Sequence, residues 1–166
     1  MIRVRDARPD ELDIAADVMV EAYTEYRAAL PEPAWIEYRA EIGDIRSRMP
    51  ASTLIVAEDA GALLGAVTYY SDARLEGHVD WPENWANFRL LAVSPSARGR
   101  GVGRLLTEEC IRRARAAGRE ALGLHTTRLM QTARAMYERM GWVRVPELDF
   151  FPAPEFQVMA YRLALR

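Results

Sequence analysis

Residues 90–106 read Leu-Leu-Ala-Val-Ser-Pro-Ser-Ala-Arg-Gly-Arg-Gly-Val-Gly-Arg-Leu-Leu. Gly99, Gly101 and Gly103 fall on alternate positions, with Arg98, Arg100 and Arg104 among them. An apolar run precedes them and an amphipathic run follows, so the order is strand, glycine-rich loop, helix. The first N–H groups of a helix lack intrahelical partners, and the helix dipole places partial positive charge there. Glycines let an anion approach that backbone closely, so the expected guest is a phosphate. A turn alone would not require arginines interleaved with three glycines. Two familiar phosphate loops do not fit. A Walker loop ends in Gly-Lys followed by Ser or Thr, and this chain has no lysine. A dinucleotide fingerprint begun at Gly101 needs a third glycine where Leu106 stands.

The elements that position this loop follow from periodicity. Ile2 and Val4 alternate with arginines, which predicts a strand over about 2–5. Pro9-Asp10-Glu11 opens a helix that carries Leu12, Ala15, Ala16, Met19, Ala22, Tyr23 and Tyr26 at helical spacing. Pro31 and Pro33 break it, and a second helix is expected over about 34–48 with Trp35, Tyr38, Ile42 and Ile45 on one side. Thr53–Glu58 and Ala62–Tyr70 form a hairpin around Asp59-Ala60-Gly61. Residues 72–85 read as a polar loop and 86–94 as the next strand. A helix over about 101–117 buries Val102, Leu105, Leu106, Cys110, Ala114 and Ala117, and Gly118 ends it. Ala121–Thr126 is a short buried strand, and Thr132–Met140 a short helix closed by Gly141. Trp142–Val145 and Gln157–Leu165 supply the last strands. The strand–helix–strand unit over 86–126 calls for a right-handed parallel crossover. The class is therefore α/β on a mixed sheet.

Arg98-x-x-Gly101-x-Gly103 after Leu91-Ala92-Val93 resembles the acyl-CoA loop of the GNAT superfamily of N-acetyltransferases. The resemblance continues in Ala133-Arg-Ala-Met136-Tyr137-Glu-Arg-Met-Gly141-Trp142, which is similar to the second motif of that family, with Trp142 in place of Phe. Together the motifs cover roughly residues 86–145; the first half of the chain matches only in element order. The resemblance implies a GNAT-type acyl-CoA N-acyltransferase fold, a mixed central sheet flanked by helices, in one domain of residues 1–166. It implies transfer of an acetyl group from acetyl-CoA to a primary amine, with no metal. An amine with a pKa near 10.4 arrives charged and must lose a proton before it attacks. The thioester carbonyl needs N–H donors as it becomes an oxyanion, and the departing sulfur needs a proton.

The resemblance assigns these tasks to residues. Leu91, Ala92 and Val93 would meet the pantetheine through an irregular strand, with the Ala92 or Val93 N–H at the oxyanion. Arg98, Gly99, Arg100, Gly101, Val102, Gly103 and Arg104 would hold the pyrophosphate, mainly through N–H groups. Ala133 and Tyr137 would lie against the cofactor, with the Tyr137 phenol as general acid; a core tyrosine is the plainer reading. Two positions depart from the pattern. Met130 stands where the family has Asn, so one polar contact to the pantetheine is either missing or supplied by Thr126, Thr127 or Thr132. Asn87 stands where many relatives carry a catalytic Glu. A base would then come from Glu83, His78, Asp80 or Glu76 through a water, although each also reads as a solvated loop residue, and an amine bound partly neutral would need no strong base. His125 reads as a core histidine. The acceptor is expected among Tyr23, Tyr26, Trp35, Tyr38, Trp81 and Trp85, whose aromatic faces could hold a cation. Packing explains Tyr23 and Trp35 as well, and Trp81 and Trp85 less readily.

Composition bounds the rest. The chain has 166 residues, half of them hydrophobic, enough for a full core and too many for a disordered chain. No apolar run approaches the roughly 18–20 residues a membrane span needs. The first residues lead straight into the first strand, without the apolar segment of a signal peptide. A cytoplasmic protein is expected. The single cysteine, Cys110, excludes an internal disulfide and reads as a buried thiol. The arginine and alanine bias looks bacterial. Net charge is −2 but uneven: residues 1–97 carry 9 Arg against 17 acids, and residues 98–144 carry 11 Arg against 4. This suits a polyanionic donor and a cationic acceptor, or simply a soluble surface. No basic helix with base-reading residues points to nucleic acid. A small-molecule amine is the expected partner, and a homodimer is common in families of this kind. The alternative is a CoA-binding sensor or regulatory domain that has lost catalysis.

Overall fold

The computed structural model describes residues 1–166. It resolves into two compact units, Met1–Thr68 with Leu90–Glu109, and Tyr69–Arg89 with Cys110–Arg166.

The first unit begins with β1 (Arg3–Asp6), α1 (Leu12–Tyr23), α2 (Glu32–Gly43) and β2 (Thr53–Asp59). β1 pairs antiparallel with β2, Arg3 opposite Glu58 and Asp6 opposite Ile55. β2 turns into β3 (Ala62–Tyr70) through Ala60 and Gly61, with φ of +50° and +84°. Two successive positive φ values match the twist of a tight hairpin. α1 buries Leu12, Ala15, Met19, Ala22 and Tyr23 of the stripe its spacing predicts; Ala16 is half-buried, and Tyr26, also half-buried, lies past the helix end at Tyr23. α2 stops at Gly43, five residues before the expected end. The cause is Arg48, whose guanidinium donates to the Glu41 and Ile42 carbonyls at 2.5 and 3.0 Å. These belong to the last turn, whose carbonyls have no partners further along the helix.

β4 (Trp85–Val93) gives its first half to the second unit and its second half to the first. The same is true of α3 (Val102–Ala116), where Val102, Leu106, Cys110 and Ala114 are buried, whereas Leu105 is half-buried and Ala117, expected in the buried stripe, lies past the helix end and is exposed. The second unit continues with β5 (Ala121–Thr126), α4 (Gln131–Arg139), β6 (Val143–Arg144), β7 (Phe150–Ala153) and β8 (Phe156–Ala164). β4 and β5 pair in parallel from Trp85↔Ala121 to Asn87↔Gly123. β5 pairs antiparallel with β8 along its whole length, and β8 also takes β6 and β7 antiparallel. The fold is α/β on a mixed sheet, as expected from the sequence, and most of its pairing is antiparallel. β7 was not expected; Pro152 sits inside this run of four. Pro in a strand is confined to edges and irregular positions, and β7 has a register irregularity between Phe150 and Ala153.

Two observations in the first unit generate expectations about stability. Glu11 is buried and accepts hydrogen bonds from the Arg5 guanidinium at 2.6 and 3.1 Å and from the Arg8 N–H at 2.5 Å. The Arg5 hydrogen bond outweighs burial and holds the Glu11 carboxyl down at about 2. The folded value lies below the unfolded one, so this contribution is complete above about pH 5 and is lost as pH falls toward 2. Thermal melts should show Tm falling across that window. Glu11→Gln should lower Tm at pH 7 by roughly 4–8 °C, about 2 kcal/mol, and flatten the acid slope. Gly65 is tight for a different reason: a Cβ there would lie 2.5 Å from the Ala92 carbonyl oxygen. Backbone cannot yield as a side chain can. Gly65→Ala should cost about 1–3 kcal/mol in a denaturant melt.

Candidate functional site

In the first unit the backbone around the glycine loop has a distinct geometry. Leu90 has φ of +56°, a left-handed conformation that bulky residues rarely adopt. It makes the backbone of β4 irregular just before Leu91, Ala92 and Val93, without ending the strand. Tyr23, at the end of α1, donates its hydroxyl to the Leu91 carbonyl at 3.0 Å. Gly65 on β3 allows the Ala92 carbonyl to come close. Sequence reading missed both contacts. Tyr23 was expected in the packing stripe or among the acceptor aromatics, and a lone glycine in a strand carries little local signal.

After Val93 the chain makes a single turn, Pro95–Ala97, and reaches α3 through the loop. Gly99 and Gly101 both have φ of +80°, and a Cβ at either would meet nothing within 4 Å. These glycines are therefore required by backbone conformation, and the space above them is open. Gly103 lies inside α3, where its carbonyl accepts from Thr107 at 2.8 Å, so the third glycine belongs to the helix. The three arginines each engage a carboxylate. Arg98 donates to Glu25 at 2.9 Å and to the Ala22 carbonyl at 3.2 Å. Arg100 donates to Asp59 at 2.6 Å and Arg104 to Glu108 at 2.8 Å. The Arg100 hydrogen bond is the main reason the Asp59 carboxyl stays below its ordinary range. Beside Arg98, burial and then the Glu25 charge push the Tyr26 phenol up to about 12. The loop thus offers an anion its helix-start N–H groups, with guanidiniums already tethered around it.

The second unit holds the other group of site residues. Tyr137 on α4 is 4% exposed, and its ring lies 6.1 Å from Phe88 of β4 and 5.7 Å from Trp142. Ala133 is one turn earlier on the same helix and half-buried. Met130 precedes α4, and its sulfur accepts from the Thr126 hydroxyl at 3.5 Å. Thr127 accepts from the Leu129 N–H at 3.3 Å, and Thr132 is exposed. Asn87 is 1% exposed; its Nδ2 donates to the Gly123 carbonyl at 3.2 Å, and its Oδ1 has no hydrogen-bond partner.

On the opposite face of β4 the expectation of a solvated residue fails for Glu76, while His78, Asp80 and Glu83 are exposed as expected. Glu76 is buried and its carboxylate collects donors: the Trp81 indole N–H at 3.0 Å, the His78 N–H at 3.0 Å and His78 Nδ1. Arg89 Nε lies 3.8 Å away. Burial alone would raise the Glu76 carboxyl. The His78 hydrogen bonds and charge, with Arg89, outweigh it and hold the group below its ordinary range. Trp81 is likewise a core residue, clustered with Ala73, Val145 and Ala160 rather than offered to a ligand. It lies where a Cβ of Gly123 would be, 2.5 Å from its ring. His125 fits the structural reading: its ring nitrogen Nε2 meets the Leu148 carbonyl at 2.8 Å, and burial lowers its pKa.

No helix is long and apolar enough to cross a membrane. No group of three or more His, Cys, Asp and Glu side chains gathers in a way that could hold a metal ion.

Comparison with known proteins places this geometry. The sequence model of the acetyltransferase (GNAT) family matches residues 15–142. A mycothiol acetyltransferase from Propionibacterium freudenreichii subsp. shermanii is 32% identical over 120 residues, which is 66% of this chain but 36% of that protein. The match thus spans about a third of the relative's length. Among solved structures, histone acetyltransferase HPA2 and related acetyltransferase from Corynebacterium glutamicum is 26% identical, with a TM-score of 0.72 over 97% of this chain and 94% of that one. PaiA N-acetyltransferase from Thermoplasma acidophilum, solved in complex with coenzyme A, is 15% identical, with a TM-score of 0.73 over 96% and 98% of the two chains. The chain belongs to the GNAT family of acetyltransferases.

Proposed function

We propose that this protein transfers an acetyl group from acetyl-CoA to the primary amine of a small molecule by direct attack. Residues 1–166 would work as one GNAT domain, since the family match runs through both compact units. The observation that carries the reading is the loop. Gly99 and Gly101 hold left-handed conformations with open space above them, at the start of a 15-residue helix. That arrangement fits a pyrophosphate bound by backbone N–H groups. An intracellular thioester as donor argues for a cytoplasmic protein. The mycothiol acetyltransferase relative supports a small molecule over a protein as acceptor.

Acetyl-CoA, when bound, supplies an acetyl group activated as a thioester. Residues 98–104 hold its phosphates. Leu91, Ala92 and Val93 present backbone groups to the pantetheine, and the Ala92 or Val93 N–H stabilises negative charge on the carbonyl oxygen. Tyr137 donates its phenolic proton to the departing sulfur, and Ala133 leaves room beside it. An ordinary phenol, with a pKa near 10, stays neutral at rest and can protonate a thiolate. The second reading is a CoA-binding sensor without catalysis. Asn87 favours it, because an amide cannot take the proton that a carboxylate at that point of the strand would take.

Release of CoA thiol from acetyl-CoA against polyamines, amino acids, aminoglycosides and peptide N-termini separates the two readings. Turnover with one class is expected; tight binding with none would favour the sensor. Tyr137→Phe should lower kcat by roughly 10²–10⁴-fold and leave acetyl-CoA binding unchanged. Full turnover in that variant would remove the acid role. Gly101→Val forces a β-branched residue into a left-handed conformation and fills the open space. It should weaken acetyl-CoA binding about tenfold or more by calorimetry.

A further inference from the structure

Three contacts in the first unit decide which backbone groups of Leu91–Val93 face which way. In an extended chain the N–H and C=O of one residue point to the same edge, and those of the next residue to the opposite edge. β4 is strand through Val93. The Ser94 N–H donates to the Leu64 carbonyl of β3 at 2.8 Å. The Ala92 carbonyl oxygen also lies against β3, 2.5 Å from where a Cβ of Gly65 would be. Ala92 and Ser94 therefore face β3. Leu91 and Val93 face the other edge, and there the Leu91 carbonyl accepts from the Tyr23 hydroxyl at 3.0 Å. The parallel pairing with β5 covers Trp85–Asn87 and stops short of these residues. A trans peptide holds its N–H antiparallel to its C=O. The seat of the Ala92 carbonyl at Gly65 thus fixes the direction of the Val93 N–H, and Tyr23 fixes the peptide before it. Tyr23 is itself braced. Its ring meets Tyr26 and Tyr38 edge-on, both at 5.9 Å, and the neighbouring Ala22 carbonyl accepts from Arg98 at 3.2 Å. That carbonyl belongs to the last turn of α1, where partners along the helix run out.

We infer that Tyr23 and Gly65 are positioning residues for acetyl transfer. They clamp two successive peptides so that the Val93 N–H, rather than the Ala92 N–H, meets the carbonyl oxygen of acetyl-CoA. The inference rests on the acetyl-transfer reading above. The acceptor amine, its ammonium proton lost to water, forms a bond to the acetyl carbon, and the carbonyl electron pair moves onto oxygen. A donor already aimed at that oxygen stabilises the charge without reorganising. The pair returns as the carbon–sulfur bond breaks. The sulfur takes the Tyr137 proton, and the new amide nitrogen gives its extra proton to the phenolate. The Ala92 N–H points to β3, so it is on the wrong edge for this task. The strained φ of Leu90 shows that the segment is held by its surroundings rather than by its own preference. Without the Tyr23 hydroxyl the Leu91 carbonyl loses its partner on α1, and the peptides that follow are free to turn.

Tyr23→Phe keeps the ring and removes only the donor. With the best amine of the panel, kcat should fall about tenfold while the Kd of acetyl-CoA changes by less than about twofold. A purely structural role would lower Tm without that split. Gly65→Ala, which displaces the Ala92 carbonyl, should show the same split. A second measurement needs no variant. Acetyl-CoA and CoA differ by the acetyl group alone, so in NMR spectra of the two wild-type complexes the Val93 amide should differ more than the Ala92 amide. Wild-type kcat in a folded Tyr23→Phe protein, or a loss of kcat matched by a loss of acetyl-CoA affinity, would overturn the proposal and leave acetyl transfer standing. So would an Ala92 amide that discriminates between the complexes while Val93 does not. A wild-type chain that binds acetyl-CoA but acetylates no amine would overturn both.

Discussion

The way the backbone is held from Leu90 to Val93 governs the glycine-loop end of the first unit. A regular strand would spend its N–H and C=O groups on its neighbours. Leu90 interrupts that regularity with a φ of +56°, a conformation that costs a bulky residue about 1 kcal/mol or more. It persists because the surroundings determine it. Tyr23 ties the Leu91 carbonyl to α1, Gly65 lets the Ala92 carbonyl come close, and the Ser94 N–H donates to the Leu64 carbonyl at 2.8 Å. Arg98 and Arg100 tether the loop to Glu25 and Asp59.

The second unit solves a different problem, the burial of a carboxylate. An isolated buried charge is costly, and such groups survive only when paired and hydrogen-bonded. Glu76 meets that condition with an indole N–H, a backbone N–H, an imidazole and a nearby guanidinium. The result is rigidity. Trp81 is held by its N–H and fills the place of a side chain at Gly123, while His78 is held at one nitrogen and one ring face. A loop with a polar sequence thereby becomes an ordered wall beside β4.

What the sequence made legible was local. The strand, glycines and helix start at 90–106 announce themselves because turn chemistry and helix entry depend on neighbouring residues. The stripe of α1 and the buried face of α3 follow from period alone. What stayed hidden depends on residues distant in the chain. Glu76 reads as solvated until Trp81 and Arg89 are seen beside it. Trp81 seemed too polar in context for a core, and its seat exists only because Gly123 lacks a side chain. The early end of α2 comes from Arg48 reaching back to its last carbonyls. β7 was not expected, and pairing with β8 forms it across Pro152. Tyr23 had a second role, its hydroxyl on Leu91, that no periodicity could reveal.

The central claim is that backbone N–H groups of one continuous segment receive acetyl-CoA. Titration of acetyl-CoA into isotope-labelled protein, followed at backbone amides by NMR, addresses it most directly. The largest saturable shifts should fall on Leu91–Val93 and on residues 98–104. Binding that perturbs amides elsewhere and leaves these unchanged, or no binding at all, would contradict it.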